Sequence, residues 1–199
     1  MEKVDVMEMV NPYLVRLKKC ISLGWSDYWD LYRAVLHEHS KIARAVLIRD
    51  HIVGRVRREF DSDNSVRILE KKNGLFLLEI CKKVLVRFKK FDSKKLSSNI
   101  PTKQSSMFLR QLTIPGFGKD RINLNAGYTP TYDWASIDGI FITHPNGINR
   151  ISWFVDLGEM VPVQSVVEIF PSPEPAKERV RLKAVIDSDR KEGKNGADS

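Results

Sequence analysis

The stretch Ser40–Phe60, SKIARAVLIRDHIVGRVRREF, decides how the rest of the chain is read. Ile42, Val46, Val53, Val56 and Phe60 recur at helical intervals and stack on one stripe, which asks for a core. About half a circle away lie Arg44, His51, Arg55 and Arg58, with Ile48 among them. Ser40 stands where a capping side chain belongs. One face of this helix is expected to pack and the other to present hydrogen-bond donors.

Towards the N-terminus, Asn11-Pro12 joins a capping residue to a proline suited to the first helical turn. A helix is expected from Tyr13 to about Leu23, and Gly24 reads as a break or kink. Trp25, Tyr28, Trp29, Leu31 and Tyr32 follow closely, and rings of this size are expected to pack against the next helix. His37 and His39 read as exposed loop residues.

Towards the C-terminus the apolar period changes from helical to alternating after Asn64. Val66–Lys71 and Leu75–Ile80 flank Asn73-Gly74, a strong hairpin signal. Lys83–Phe91 alternates, with Val84, Val86 and Phe88 on one face and Leu85, Arg87 and Lys89 on the other. Pro101 opens a short helix through Leu112. Arg121–Tyr128 alternates again, with Ile122, Leu124, Ala126 and Tyr128 inward and Arg121, Asn123 and Asn125 outward. Ile137–Thr143 and Ile148–Leu157 flank a second turn, and Val161–Phe170 offers an edge strand. The expectation is an α+β protein: one domain over residues 1–170, with N-terminal helices packed on one face of an antiparallel β-sheet of hairpins. Residues 171–199 lack an apolar period and read as a flexible polar tail.

Lys and Arg total 33 against 25 Asp and Glu, a net charge of +8. Such a balance attracts anionic partners, nucleic acid among them, and also serves plain solubility. Cys20 and Cys81 are the only cysteines, too few for a metal-binding spacing, and both read as small buried hydrophobes. No signal peptide and no membrane-spanning run is visible, so a cytoplasmic protein without membrane contact is expected.

Positive charge gathers in two places. Lys41–Phe60 holds six basic residues against Asp50 and Glu59, and Lys82–Lys95 holds seven against Asp92. Arg44, His51, Arg55, Arg58, Arg87 and Lys89 are the candidate binding residues, suited to phosphate oxygens. His51, a side chain able to give and take a proton, is a weak candidate for acid–base work. A structural alternative has the arginines donating to loop carbonyls. Glu79 invites comparison with metal-dependent nucleases, but Cys81 stands where their lysine is needed. No cofactor or metal signature is present, and the chain declares no reaction, so enzymatic activity is left open.

Four pieces together carry a family resemblance: ARAVLIRDHI at 43–52, VLVRFKKFD at 84–92, NIPTKQS at 99–105, and INLNAGYTPT at 122–131 running on to ITHPNGINRISWFVDL. They resemble a family of bacterial proteins encoded beside a regulator that joins a helix-turn-helix to a zinc-peptidase domain. The resemblance covers about residues 10–157 and implies the toxic half of a toxin–antitoxin or phage-defence pair. It implies that regulatory protein as the masking partner and supplies no active-site residue. The expected function is an effector held inactive by its partner; the alternative is a non-catalytic basic module that binds nucleic acid.

Overall fold

Alternating strands and two-faced helices assemble as an α+β fold built on a single six-stranded sheet, in the order β1-β2-β3-β4-β5-β6. The structure, a computed structural model, describes residues 2–71, 74–98, 102–118 and 120–158. The expected edge strand at 161–170 and the tail at 171–199 lie outside the described residues. The helices are α1 (Lys3–Val10), α2 (Leu14–Tyr32), α3 (Lys41–Phe60) and α4 (Lys103–Leu109). The strands are β1 (Val66–Glu70), β2 (Phe76–Ile80), β3 (Val84–Lys90), β4 (Ile122–Pro130), β5 (Ile137–Pro145) and β6 (Ile151–Asp156). Among the described residues no helix is long and apolar enough to cross a membrane.

β1, β2 and β3 form the expected meander, and Gly74 in its first turn takes φ +77°, open to glycine at little cost. The second turn departs from expectation. Cys81 and Lys82 both adopt positive φ, which leaves Cys81 exposed rather than buried. Cys20, in contrast, is buried in α2.

The larger departure is at β3 and β4, which pair in parallel from Val84↔Ile122 to Lys90↔Tyr128. A parallel pair needs a crossover, and residues 91–121 supply it with α4 inside. The sheet is therefore covered on both faces. On one face α2 and α3 pack against each other and reach β3 and β4. Val84, Val86 and Phe88 of β3 are buried there, and the Trp25 ring meets Tyr128 edge-on at 5.3 Å. On the other face Phe108 of α4 and Ile114 join Leu77 and Leu85 in a second apolar cluster. The expectation that Asn123 and Asn125 face outward fails for the same reason: α4 lies over that face, and both are buried. Asn123 Nδ2 donates to the Phe108 carbonyl (3.2 Å), and its backbone N–H donates to Gln111 Oε1 (2.8 Å). These bonds pin the end of α4 to β4 and satisfy groups that would otherwise be orphaned.

Two readings of the helices need correction. α2 runs without a break through Gly24, which is instead the point of closest approach to α3: an added Cβ would lie 2.6 Å from the backbone nitrogen of Ile52. That notch sets the rotation of α3. Ile48, Ile52, Val53, Val56 and Phe60 are buried, while Ile42 is 80 % and Val46 52 % exposed. The aromatics of α2 pack as expected, with Trp25, Tyr28 and Trp29 all buried. His39 is partly buried rather than exposed, its Nδ1 2.9 Å from the Tyr28 hydroxyl.

Candidate anion-binding site

Ser40 caps α3 as its position suggests, accepting from the Ala43 N–H at 3.2 Å. The donor stripe of this helix serves the fold. Arg44 donates from Nε to the His39 carbonyl (3.1 Å) and from Nη2 to the Leu36 carbonyl (2.8 Å), closing the 3₁₀ turn that precedes the helix. Arg55 grips Asp27 of α2 with both nitrogens of its fork, Nε to Oδ2 at 2.6 Å and Nη2 to Oδ1. Hydrogen bonding from Arg55 holds the Asp27 carboxyl below its ordinary pKa. His51 lies edge-on to the Tyr32 ring, 5.9 Å between centroids, and no described carboxylate pairs with it. Arg58 is exposed. The structure thus separates these four residues from Arg87 and Lys89 and gives Arg44 and Arg55 structural partners.

Arg44→Ala and Arg55→Ala are accordingly expected to lower stability, each by about 1–2 kcal/mol. That is the range for charge-assisted hydrogen bonds, discounted because Arg55 and Asp27 are partly solvated. The Asp27 contribution carries a sign. Its folded pKa is depressed, so the stabilisation is present at neutral pH and is lost as pH falls through that folded pKa. Acid titration of stability should show this slope in the parent and a shallower one in Arg55→Ala.

Arg87 and Lys89 turn to the face that α4 covers. Arg87 is only 5 % exposed, a position that charged side chains occupy rarely without a partner. Nε and Nη2 both donate to the neutral Asn125 Oδ1 (3.2 and 3.1 Å), and the guanidinium lies 4.2 Å from the Phe108 ring centroid. Neither Arg87 nor Lys89 forms an ion pair with another described residue. Burial, together with the charge of Arg49, pushes the Arg87 pKa down to about 9. Burial, with the charges of Arg87 and Arg49, pushes Lys89 down to about 8.

These side chains line a cavity of about 270 Å³, bounded by the β1–β2 turn, β3 and the first turns of α4. Its walls are Arg49, Gly74, Leu75, Phe76, Arg87, Lys89, Thr102, Gln104, Ser105, Phe108 and Ile114. The sheet itself opens the space. β2 stays in register with β3 only as far as Leu78↔Val86, whereas β3 continues beside β4 to Lys90. Arg49 reaches in from α3, held by its own Nη2 bond to the Gly74 carbonyl (3.1 Å) and by Asp50 Oδ1 on Nη1 (3.0 Å). Among the described residues, the lining includes three cations and no carboxylate. Sequence reasoning named Arg87 and Lys89 but missed Arg49, whose only signal was membership of the basic run in α3.

A larger cavity of about 510 Å³ lies on the other side of Thr102 and Ser105. Its one acid, Asp92, spends its carboxylate on the N–H groups of Lys94 (2.9 Å) and Leu96 (2.8 Å). Glu79, also buried, is neutralised by Arg67 (2.9 Å) and Arg121 (2.6 Å). Among the described residues no group of three or more His, Cys, Asp and Glu is placed to hold a metal ion. Comparison of the chain with protein-family models, with curated proteins and with solved structures finds no match.

Proposed function

We propose that the protein binds a small phosphate-bearing anion in the cavity walled by Arg49, Arg87 and Lys89. One observation carries the reading: Arg87, almost wholly buried, and Lys89 have no ion-pair partner among the described residues, and they share with Arg49 a half-open cavity whose described lining holds no carboxylate. Burying charge without a counter-charge costs stability, and an external anion repays that cost when it binds. Thr102 adds a hydroxyl to the same wall, its oxygen accepting from the Ser105 N–H, while the Ser105 hydroxyl is spent on the Thr102 carbonyl. The volume of about 270 Å³ falls below the ~300 Å³ at which pockets begin to enclose drug-sized ligands, so it suits a compact ligand. Nucleic-acid binding enters this reading as recognition of a single accessible phosphate, since Arg44 and Arg55 are committed elsewhere.

The test is titration calorimetry with inorganic phosphate and a nucleoside monophosphate, on the parent and on Lys89→Met. The variant removes an unpaired, half-buried charge and keeps most of the volume. It is expected to be more stable by about 1 kcal/mol while binding phosphate at least about tenfold more weakly. Binding by the parent should also weaken as pH rises through about 8, where Lys89 loses its proton in the free protein. Equal heats from both proteins, or none from either, would end the proposal.

The cellular role implied by the family resemblance is a separate proposal: an effector masked by the helix-turn-helix and zinc-peptidase regulator. Expression alone should arrest bacterial growth, and co-expression of the neighbouring regulator should relieve it. Unimpaired growth at every expression level refutes that role and leaves the anion site untouched.

A further inference from the structure

Resting on the anion-binding reading above, we infer that Lys89 is an amine nucleophile that forms an imine with an aldehyde or ketone whose anionic group is held by Arg49 and Arg87. Three features of the cavity carry the inference. First, Lys89 lines the cavity and its amine makes no hydrogen bond or ion pair with another described residue, which leaves it open to a ligand. Second, Arg87 and Lys89 are alternate residues on one face of β3, so their Cα atoms stand about 6.6–6.8 Å apart. A ligand whose anion sits on the arginines would present a carbonyl carbon a few bonds away to the amine on the same wall. Third, the flanking guanidinium groups and the partial burial both favour the neutral amine, the two devices by which lysines are made nucleophilic. The lowered pKa of Lys89, about 8, agrees with that geometry.

The step balances without a further reactant. The Nζ lone pair attacks the carbonyl carbon to give a carbinolamine, both amine hydrogens depart with the carbonyl oxygen as water, and a C=N bond remains. No electrons are gained or lost overall. The lining residues include no carboxylate and no histidine, so the described walls hold no strong general base for abstracting a proton from the neighbouring carbon. The ligand class is therefore a compact phosphorylated or carboxylated carbonyl compound held for imine chemistry.

The probe is pyridoxal 5′-phosphate, an aldehyde carrying a phosphate, added to the full chain and followed by borohydride reduction and peptide mass mapping. Lys89 is expected to be the preferred adduct, formed at least tenfold faster than with pyridoxal, which lacks the phosphate. Inorganic phosphate should protect it, and the rate should climb with pH to a plateau with a midpoint near 8. Lys90→Met serves as the control: the Lys90 ammonium lies over the Trp134 ring, 5.5 Å from its centroid, and its loss should leave the Lys89 adduct unchanged. Lys89→Met should abolish it. If phosphate binds by calorimetry but labelling is scattered over surface lysines, the imine inference fails and the anion site stands. If phosphate neither binds nor protects, both fail.

Discussion

Gly127→Ala is expected to cost about 3–5 kcal/mol, among the largest losses any single substitution here should produce. Gly127 lies opposite Lys89 in the parallel β3–β4 pair, and a Cβ built there would come 1.7 Å from the Lys89 carbonyl oxygen. The same atom would sit 3.2 Å from Cε2 of Phe91. The obstacle is backbone, which cannot swing aside like the end of a lysine, so the two strands must part. Overpacking alone costs about 1–3 kcal/mol, and opening a buried ladder adds about 1 kcal/mol or more for each bond left unsatisfied. Because the displaced carbonyl belongs to Lys89, phosphate binding should weaken even under conditions where the variant stays folded. A urea titration decides it: a loss below about 1 kcal/mol would mean that β3 and β4 separate freely.

Phe60→Ala is expected to lose about 3–5 kcal/mol, the usual consequence of emptying a buried aromatic position. Phe60 closes α3 at 2 % exposure. Its ring centroid lies 6.2 Å from that of Tyr13 and 4.1 Å from the Arg16 guanidinium carbon. Arg16 in turn donates to the Glu59 carbonyl (2.6 Å) and pairs with the Glu59 and Asp63 carboxylates, so the ring supports a joint between the start of α2 and the end of α3. Phe60→Leu, which keeps most of the volume but loses the stacked cation, should cost roughly a third as much. A change below about 1 kcal/mol for Phe60→Ala would place this end of α3 in solvent.

The two substitutions mark where reading the sequence succeeded and where it stopped. Phe60, Val53 and Val56 were legible as core because helical spacing puts them on one side whatever they pack against. Ile42 and Val46 fit the same spacing and are nevertheless exposed, while Ile48, placed among the arginines, is buried. Apolar residues occupy two adjoining stripes of α3, and spacing cannot say which one meets a partner. The notch at Gly24, which admits the Ile52 backbone, settles it from another helix. Likewise helical spacing put Arg44 and Arg55 on one donor stripe of α3 without saying what they bond. Their partners, the Leu36 and His39 carbonyls and the Asp27 carboxylate, come from outside that helix.

By itself the sequence determined the element types: the capped start of α3, the alternating strands, the hairpin at Asn73-Gly74 and the α+β class. Each follows from interactions a few residues apart, which spacing encodes directly. Tertiary structure alone decided that β3 and β4 run parallel and that α4 covers the face bearing Arg87, Lys89, Asn123 and Asn125. Alternation divides a strand into two faces but says nothing of what lies over either one. Once α4 closed the second face, Arg87 and Lys89, read from the sequence as candidate binding residues, became walls of a cavity. Arg49 joined them from a helix nearly forty residues away in the chain, because β2 leaves β3 at Leu78 and opens the space into which it reaches.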